Sequence, residues 1–326
     1  MDNYNEPYIG ESEVFQDFLR RLSAAAPVNR SVLLIGERGS GKEIAAKRLH
    51  YLSGRWQKNL VTVNLAALTP TLIESELFGY ESGAFTGAKA SRAGRFEEAQ
   101  GGTLFLDEVA LIPMSVQEKI LRVVEYGTYE RVGSAETREA DVRIVAATNA
   151  DLRDLCRKGL FKQDLLDRLS FEVIYVPPLR KRPEDIMLLA NFFAAKMALE
   201  CKRPEMPHFS EKAVKCLLSY PWPGNVRELK NTVERAVYKS QGSEIDCIVT
   251  DPFTNPFSDE PEKAEVKKEE INLFSVSLPQ AREELERKYL AEALEKSGHN
   301  QRKAAALMGI SYDSFRGLYR KYFKVI

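Results

Sequence analysis

Short apolar runs alternate with amphipathic stretches through the first half of the chain. Val32-Leu33-Leu34-Ile35, Leu60-Val61-Thr62-Val63, Thr103-Leu104-Phe105-Leu106, Val142-Arg143-Ile144-Val145 and Phe171-Glu172-Val173-Ile174 predict strands. Helical spacing fills most of the gaps between them. That alternation predicts an α/β fold, a parallel five-stranded sheet covered by helices. Beyond Pro177-Pro178 the pattern turns purely helical. Ile186, Leu189, Ala190, Phe193 and Met197 fall on one helix face. Ser210 is placed to cap a second helix carrying Ala213, Val214, Leu217 and Leu218. A third carries Val226, Leu229, Val233 and Val237.

Residues 251–278 lose this regularity. Asp251-Pro252-Phe253-Thr254-Asn255-Pro256 leads into Glu/Lys-rich sequence, which predicts a mobile linker. A structured tail begins near Pro279. There Asn300 is placed to cap a helix with Ala304, Ala305 and Leu307 on its inner side. Gly309 supplies a turn, and Ser311 caps a last helix packed through Phe315, Leu318 and Tyr319. The expected divisions are 1–178, 179–250, 251–278 and 279–326.

Composition narrows the class. A chain of 326 residues, 44% apolar, has room for two or three domains at ~100–200 residues each. Lys+Arg and Asp+Glu both total 47, so net charge predicts no partner. The tail differs: residues 279–326 hold ten Lys/Arg against six Asp/Glu. Cys156, Cys201, Cys216 and Cys247 are scattered and give neither zinc-ligand spacing nor a disulfide framework. The start lacks a leader pattern, and no apolar run approaches the ~18 residues of a membrane span. A reduced, soluble, cytoplasmic protein is expected.

Gly36-Glu37-Arg38-Gly39-Ser40-Gly41-Lys42 has P-loop spacing between a strand and a helix. Glycines let backbone N–H groups approach phosphate, and Lys42 adds a point charge. Glu43 stands where a Ser/Thr hydroxyl usually serves magnesium. A chance glycine turn would look similar, but a second motif follows. Gly101-Gly102-Thr103-Leu104-Phe105-Leu106-Asp107-Glu108 is a buried strand ending in two carboxylates. Asp107 suits a magnesium shell and Glu108 the polarisation of water; adjacent acids also simply end strands in solvent. Between the two motifs lies Gly83-Ala84-Phe85-Thr86-Gly87-Ala88. Small residues flanking one phenylalanine make either a contact tip or an ordinary surface loop. In the tail, Arg302, Lys303, Arg316, Arg320 and Lys321 are free for phosphates or base edges, with Tyr312 and Ser314 as further edge contacts. This reads as helix-turn-helix, Ser311 to Lys321 being the recognition helix, or as a dimerisation bundle with solvated lysines. Trp56, in the polar loop Ser53-Gly54-Arg55-Trp56-Gln57-Lys58, either covers the core edge or anchors a partner.

Together, Gly83 to Ala88 (GAFTGA), Glu74-Ser75-Glu76-Leu77-Phe78-Gly79 and the Gly101–Glu108 run resemble the AAA+ bacterial enhancer-binding proteins that activate sigma-54 RNA polymerase. The likeness covers about residues 8–240, and the tail resembles their Fis-type helix-turn-helix. It implies an ATPase with an AAA+ sheet domain and helical lid, using ATP and Mg2+, in which Glu43 is the usual variant. It further implies that Asn64 couples to the catalytic glutamate, that Thr148 and Asn149 form a first sensor, and that Arg227 is a second sensor. Arg168, and Lys162 where relatives have arginine, would act as fingers on a neighbouring subunit; the plainer reading of Arg168 is an i,i+4 pair with Asp164. A finger in trans implies a ring, a homo-hexamer in this family. The GAFTGA residues would contact sigma-54, the tail enhancer DNA, and the output would be remodelling of the closed promoter complex. The start of the chain leaves no room before the P-loop for a sensing domain of ~100 residues. That is similar to the phage-shock (envelope stress) branch of the family, where control comes from a membrane-associated repressor, phage-shock protein A; Trp56 is the expected dock. A regulator whose ATPase serves only assembly, and a helicase loader or unfoldase, are the competing readings.

Overall fold

The computed structural model describes residues 8–85, 88–240, 242–252, 277–298 and 300–323. Thr86 and Gly87, and most of the expected linker, lie outside the described residues. The chain forms two units, Met1–Phe253 and Thr254–Ile326.

In the first unit, strands β1 (Val32–Ile35), β2 (Leu60–Asn64), β3 (Thr103–Asp107), β4 (Arg143–Thr148) and β5 (Glu172–Tyr175) form one parallel sheet in the order β2-β3-β4-β1-β5. Central β4 is buried at all six positions. Its run Ile144-Val145-Ala146-Ala147 is unbroken apolar, as a strand covered on both faces requires. Alternate residues serve opposite faces. Leu33, Leu104, Leu106, Ile144 and Ala146 join the cluster around Phe78 and Phe96. Leu34, Phe105, Val145, Ala147 and Ile174 join the cluster around Phe15, Leu22 and Leu49. Arg143, buried at the start of β4, donates to the carbonyls of Ala25, Ala26 and Arg30. It thereby satisfies the end of the Glu13–Ala25 helix, whose last carbonyls lack intrahelical partners.

Two short ladders were not expected. Gly79–Tyr80 pairs antiparallel with Arg92–Ala93, and Thr128–Glu130 with Thr137–Glu139. Strands of two or three residues are too short to leave a period-2 signature.

The lid follows β5. Helices Glu184–Glu200, Glu211–Ser219 and Asn225–Lys239 pack around Leu179, Ile186, Phe193, Leu217, Trp222 and Val233. Ser210 Oγ accepts from Ala213 N–H, capping the second helix. Two expectations are corrected. The lid is not purely helical, because His208–Phe209 pairs with Glu244–Ile245 across the two ends of the helical pair. Leu218 is exposed, and Trp222 fills the core beside Leu217 instead.

The second unit has helices Leu278–Lys296, Gln301–Leu307 and Tyr312–Phe323. Asn300 Oδ1 accepts from the Arg302 and Lys303 N–H groups, and Ser311 Oγ from Ser314 N–H. Gly309 turns the chain at φ 66°. Ala304 and Ala305 are buried against Leu290 and Phe315, small side chains permitting the close crossing. Leu307, expected inside, is exposed at its helix end; Tyr322 closes the core. No helix among the described residues is long and apolar enough to cross a membrane.

Candidate nucleotide site and its outlying surfaces

Three strand ends converge at the carboxyl edge of the sheet, where ligands bind in open α/β folds. After β1 the loop Gly36–Gly41 leads into the Lys42–Tyr51 helix. Gly39 and Gly41 take φ of 72° and 107°, a region that side chains avoid. A Cβ on Gly39 would also come within 2.4 Å of the Gly224 carbonyl of the lid. Lys42 is nearly buried. Its Nζ donates to the carbonyls of Gly36 (3.0 Å) and Glu37 (3.3 Å) and lies 3.8 Å from Glu108 Oε1. Ser40 Oγ donates to Glu37 O, and Glu43 points outward to Lys47.

After β3, Asp107 accepts from Glu108 N–H, and Glu108 adopts φ 59° and ψ 50°. That backbone conformation costs a non-glycine residue about 1–3 kcal/mol and concentrates at functional sites. It turns the carboxylate back so that Oε2 accepts from Asn149 N–H at 3.3 Å, at the end of β4. Buried Thr148 holds the next turn, accepting from Ala150 N–H. Burial raises the Asp107 carboxyl above its ordinary range, opposed by the charge of Lys42. Among the described residues no group of three or more His, Cys, Asp or Glu could hold a metal. A single carboxylate beside a phosphate loop is the donor set magnesium uses, its other ligands being phosphate oxygens and water.

A cavity of about 550 Å³ extends from these groups to the lid. Arg38, Lys42, Asp107 and Glu108 line one side; Arg227 and Phe193 line the lid side. Tyr8 and Ile9 also line it, and Tyr8 OH donates to Ile44 O.

Three expected site residues are engaged elsewhere. Asn64 Oδ1 accepts from Ala66 N–H at 3.0 Å, capping the turn Leu65–Ala67. It is in register with Asp107, so the two strand ends are adjacent. Arg168 pairs with Glu125 at 2.6 Å, not with Asp164 four residues back, and Lys162 pairs with Glu118 at 2.8 Å. Both glutamates belong to the Met114–Tyr126 helix.

Phe85 is 45% exposed, with its ring edge-on to Tyr80 at 4.9 Å. It stands on an insertion rooted by the Gly79–Tyr80 ladder and a ring cluster in which Phe78 stacks on Phe96 and Tyr129 lies tilted against both. Gly83 N–H donates to Ala88 O, closing the base of the hexapeptide. Ala84 abuts Gly133 of a neighbouring loop, where a Cβ would sit at 2.7 Å. Arg131, in that loop, donates to Glu81 and twice to Glu97. Sequence reading missed Arg131, since no local pattern announces a network spanning residues 81 to 131.

Trp56 is 55% exposed. Its neighbour Arg55 fixes the loop, donating to Asn29, Gly102 O and Asp141. In the second unit Arg302 lies over the Tyr312 ring at 5.6 Å. Ser311 and Ser314 share a hydrogen bond, and Lys321 donates to Tyr322 OH, which in turn donates to Glu286. Arg316 and Arg320 are on the same helix.

A parallel sheet with a P-loop, an acidic β3 end and a helical lid over the cavity defines an AAA+ nucleotide-hydrolase module, here carried with a helix-turn-helix unit. The chain belongs to the sigma-54 interaction domain family, the sigma-54-dependent transcriptional activators: that family's model matches residues 8–175. An AAA+ ATPase lid domain matches residues 180–265 and a Fis-family bacterial regulatory protein model residues 281–322. The chain is 48% identical to the Psp operon transcriptional activator of Escherichia coli K12, over 99% of both chains. It is 42% identical to the Nif-specific regulatory protein of Azotobacter vinelandii, covering 93% of this chain and 56% of that one. Among solved structures, NtrX from Brucella abortus in complex with ATP superposes with a TM-score of 0.67 at 33% identity, covering 98% of this chain and 70% of that one.

Proposed function

We propose that this activator hydrolyses ATP to remodel the sigma-54 RNA polymerase closed complex into the open one from enhancer DNA, serving a phage-shock operon. The supporting observation is the meeting of Lys42 Nζ, Glu108 and Asn149 N–H at three adjacent strand ends. Lys42 and the loop N–H groups bind phosphate. Glu108 orients and polarises the attacking water; its present partners, a lysine and an amide N–H, are donors that arriving phosphate takes over, releasing the carboxylate. Asn149 and Arg227 read the phosphates from β4 and from the lid. A magnesium ion held through Asp107 would neutralise charge on the phosphate oxygens. Asn64, one strand from Asp107, exchanges its cap for Glu108 in this reading.

Arg168, with Lys162 beside it, completes the site of a neighbouring copy in a homo-hexamer. Gly83 to Ala88, led by Phe85 and Thr86, contact sigma-54. Arg302, Lys303, Ser311, Tyr312, Ser314, Arg316 and Arg320 meet enhancer DNA; Lys321, tied to Tyr322, contributes less. Trp56 is the dock of phage-shock protein A, and the protein works in the cytoplasm. The test is transcription with purified components. Open complexes should form with sigma-54 polymerase and ATP, and not with another sigma factor or a non-hydrolysable analogue. Equal output with either sigma factor would refute the reading.

A further inference from the structure

Asn225 opens the Asn225–Lys239 helix with φ 53° and is fully buried. An asparagine at a helix start ordinarily caps its own helix, accepting from N–H groups two or three residues on. This one does not: the helix start has no side-chain cap, and both ends of the amide leave the helix. Oδ1 accepts from Leu179 N–H at 2.8 Å. Nδ2 donates to Glu37 Oε2 at 3.0 Å and to Arg38 O at 3.1 Å, with Pro223 O at 3.4 Å. Glu37 is itself gripped by both Arg180 terminal nitrogens, at 2.7 and 2.5 Å. One side chain therefore touches the P-loop, the segment following β5 and the lid.

The backbone agrees. Trp222 and Asn225 both take positive φ around Pro223-Gly224, and for a tryptophan that is a marked outlier. Burial of Trp222 and its indole N–H bond to Leu217 O hold the turn. A Cβ on Gly39 would strike Gly224 O at 2.4 Å and Arg227 Cβ at 2.9 Å, so the P-loop and the lid turn lie in direct contact. Arg180 and Asn225 also keep the Glu37 carboxyl far below its ordinary range, at about 2, so it stays charged at every working pH.

We propose that Asn225 is a positioning residue: it latches the lid to the P-loop through Glu37 and so sets where Arg227 meets the nucleotide. The inference rests on the nucleotide reading of the cavity. Its test is binding of a fluorescent ADP and steady-state ATP hydrolysis by the full chain. Asn225→Asp turns the donor into an acceptor facing Glu37, and is expected to weaken nucleotide binding about tenfold or more. Glu37→Gln alone should cost less than about threefold. The double variant should recover most of the loss, because the amide introduced at position 37 can donate to the new carboxylate. Should Asn225→Asp fail to fold, Asn225→Gly keeps the backbone angle. It should raise the KM for ATP about tenfold with kcat within about threefold. A purely structural role would instead reduce the active fraction, lowering kcat at constant KM, and that result would overturn the inference. So would losses from Asn225→Asp and Glu37→Gln that simply multiply. Failure of the unmodified chain to bind nucleotide would overturn the nucleotide reading as well.

Discussion

Arg168 and Lys162 rest on Glu125 and Glu118, which are two turns apart on one helix and so share a face. Arg168 is more than half exposed, so its pair is worth at most about 1 kcal/mol and exchanges readily for a phosphate. Arg168→Ala is expected to bind ATP as the unmodified chain does and to lose about a hundredfold or more in hydrolysis, measured as phosphate release. Near-normal turnover would remove Arg168 from the mechanism. Lys42, Asp107 and Glu108 could be read from the sequence because a P-loop and an acid-ended strand are local patterns. The partners of Arg168 and Asn64 could not. Glu125 is 43 residues away and Asp164 four, and spacing along a chain favours the near partner even when tertiary packing selects the far one.

The GAFTGA insertion is built from pieces of unequal visibility. Its hexapeptide is conspicuous, whereas its root depends on Tyr129 and Arg131, from a hairpin of three-residue strands that no periodicity reveals. The proposed sigma-54 contact and the proposed hydrolysis therefore use different residues. Thr86→Ala is expected to keep ATP hydrolysis within about twofold while abolishing open-complex formation. Loss of both activities would make the loop merely structural. A second device joins the Lys42–Tyr51 helix to β3. His50 is buried with Nδ1 2.9 Å from Thr103 Oγ, and burial holds its imidazole below the ordinary value. The folded state therefore disfavours the charged ring. The chain should lose stability as pH falls below about 6.5, where an unfolded histidine takes up its proton more readily. His50→Gln removes that component, so the stability gap between the two proteins should narrow from pH 7.5 to 5 in urea titrations. A constant gap would mean that His50 takes up its proton equally in the folded and unfolded chain, so that burial does not hold it neutral.

The broad architecture was readable because each layer leaves its own mark: apolar strand runs, the helix faces of the lid, and the capped last two helices of the tail. What escaped was the contact between layers, such as the Asn225 amide spanning lid and P-loop, since it depends on two left-handed residues in a turn. With Trp56 exposed on a loop that Arg55 fixes to Gly102 and Asp141, Trp56→Ala should weaken repressor binding about tenfold while basal hydrolysis stays unchanged. Altered basal hydrolysis with normal repressor binding would assign the tryptophan to the ATPase instead. The finger role proposed for Arg168, on the site of another copy, requires a larger unit. The most direct test follows open-complex formation and association state together, by promoter footprinting and analytical ultracentrifugation over a range of protein concentration. Promoter opening should appear only where the chain has assembled, rising steeply with concentration alongside ATP hydrolysis. Full promoter opening by molecules that sediment as monomers would contradict it.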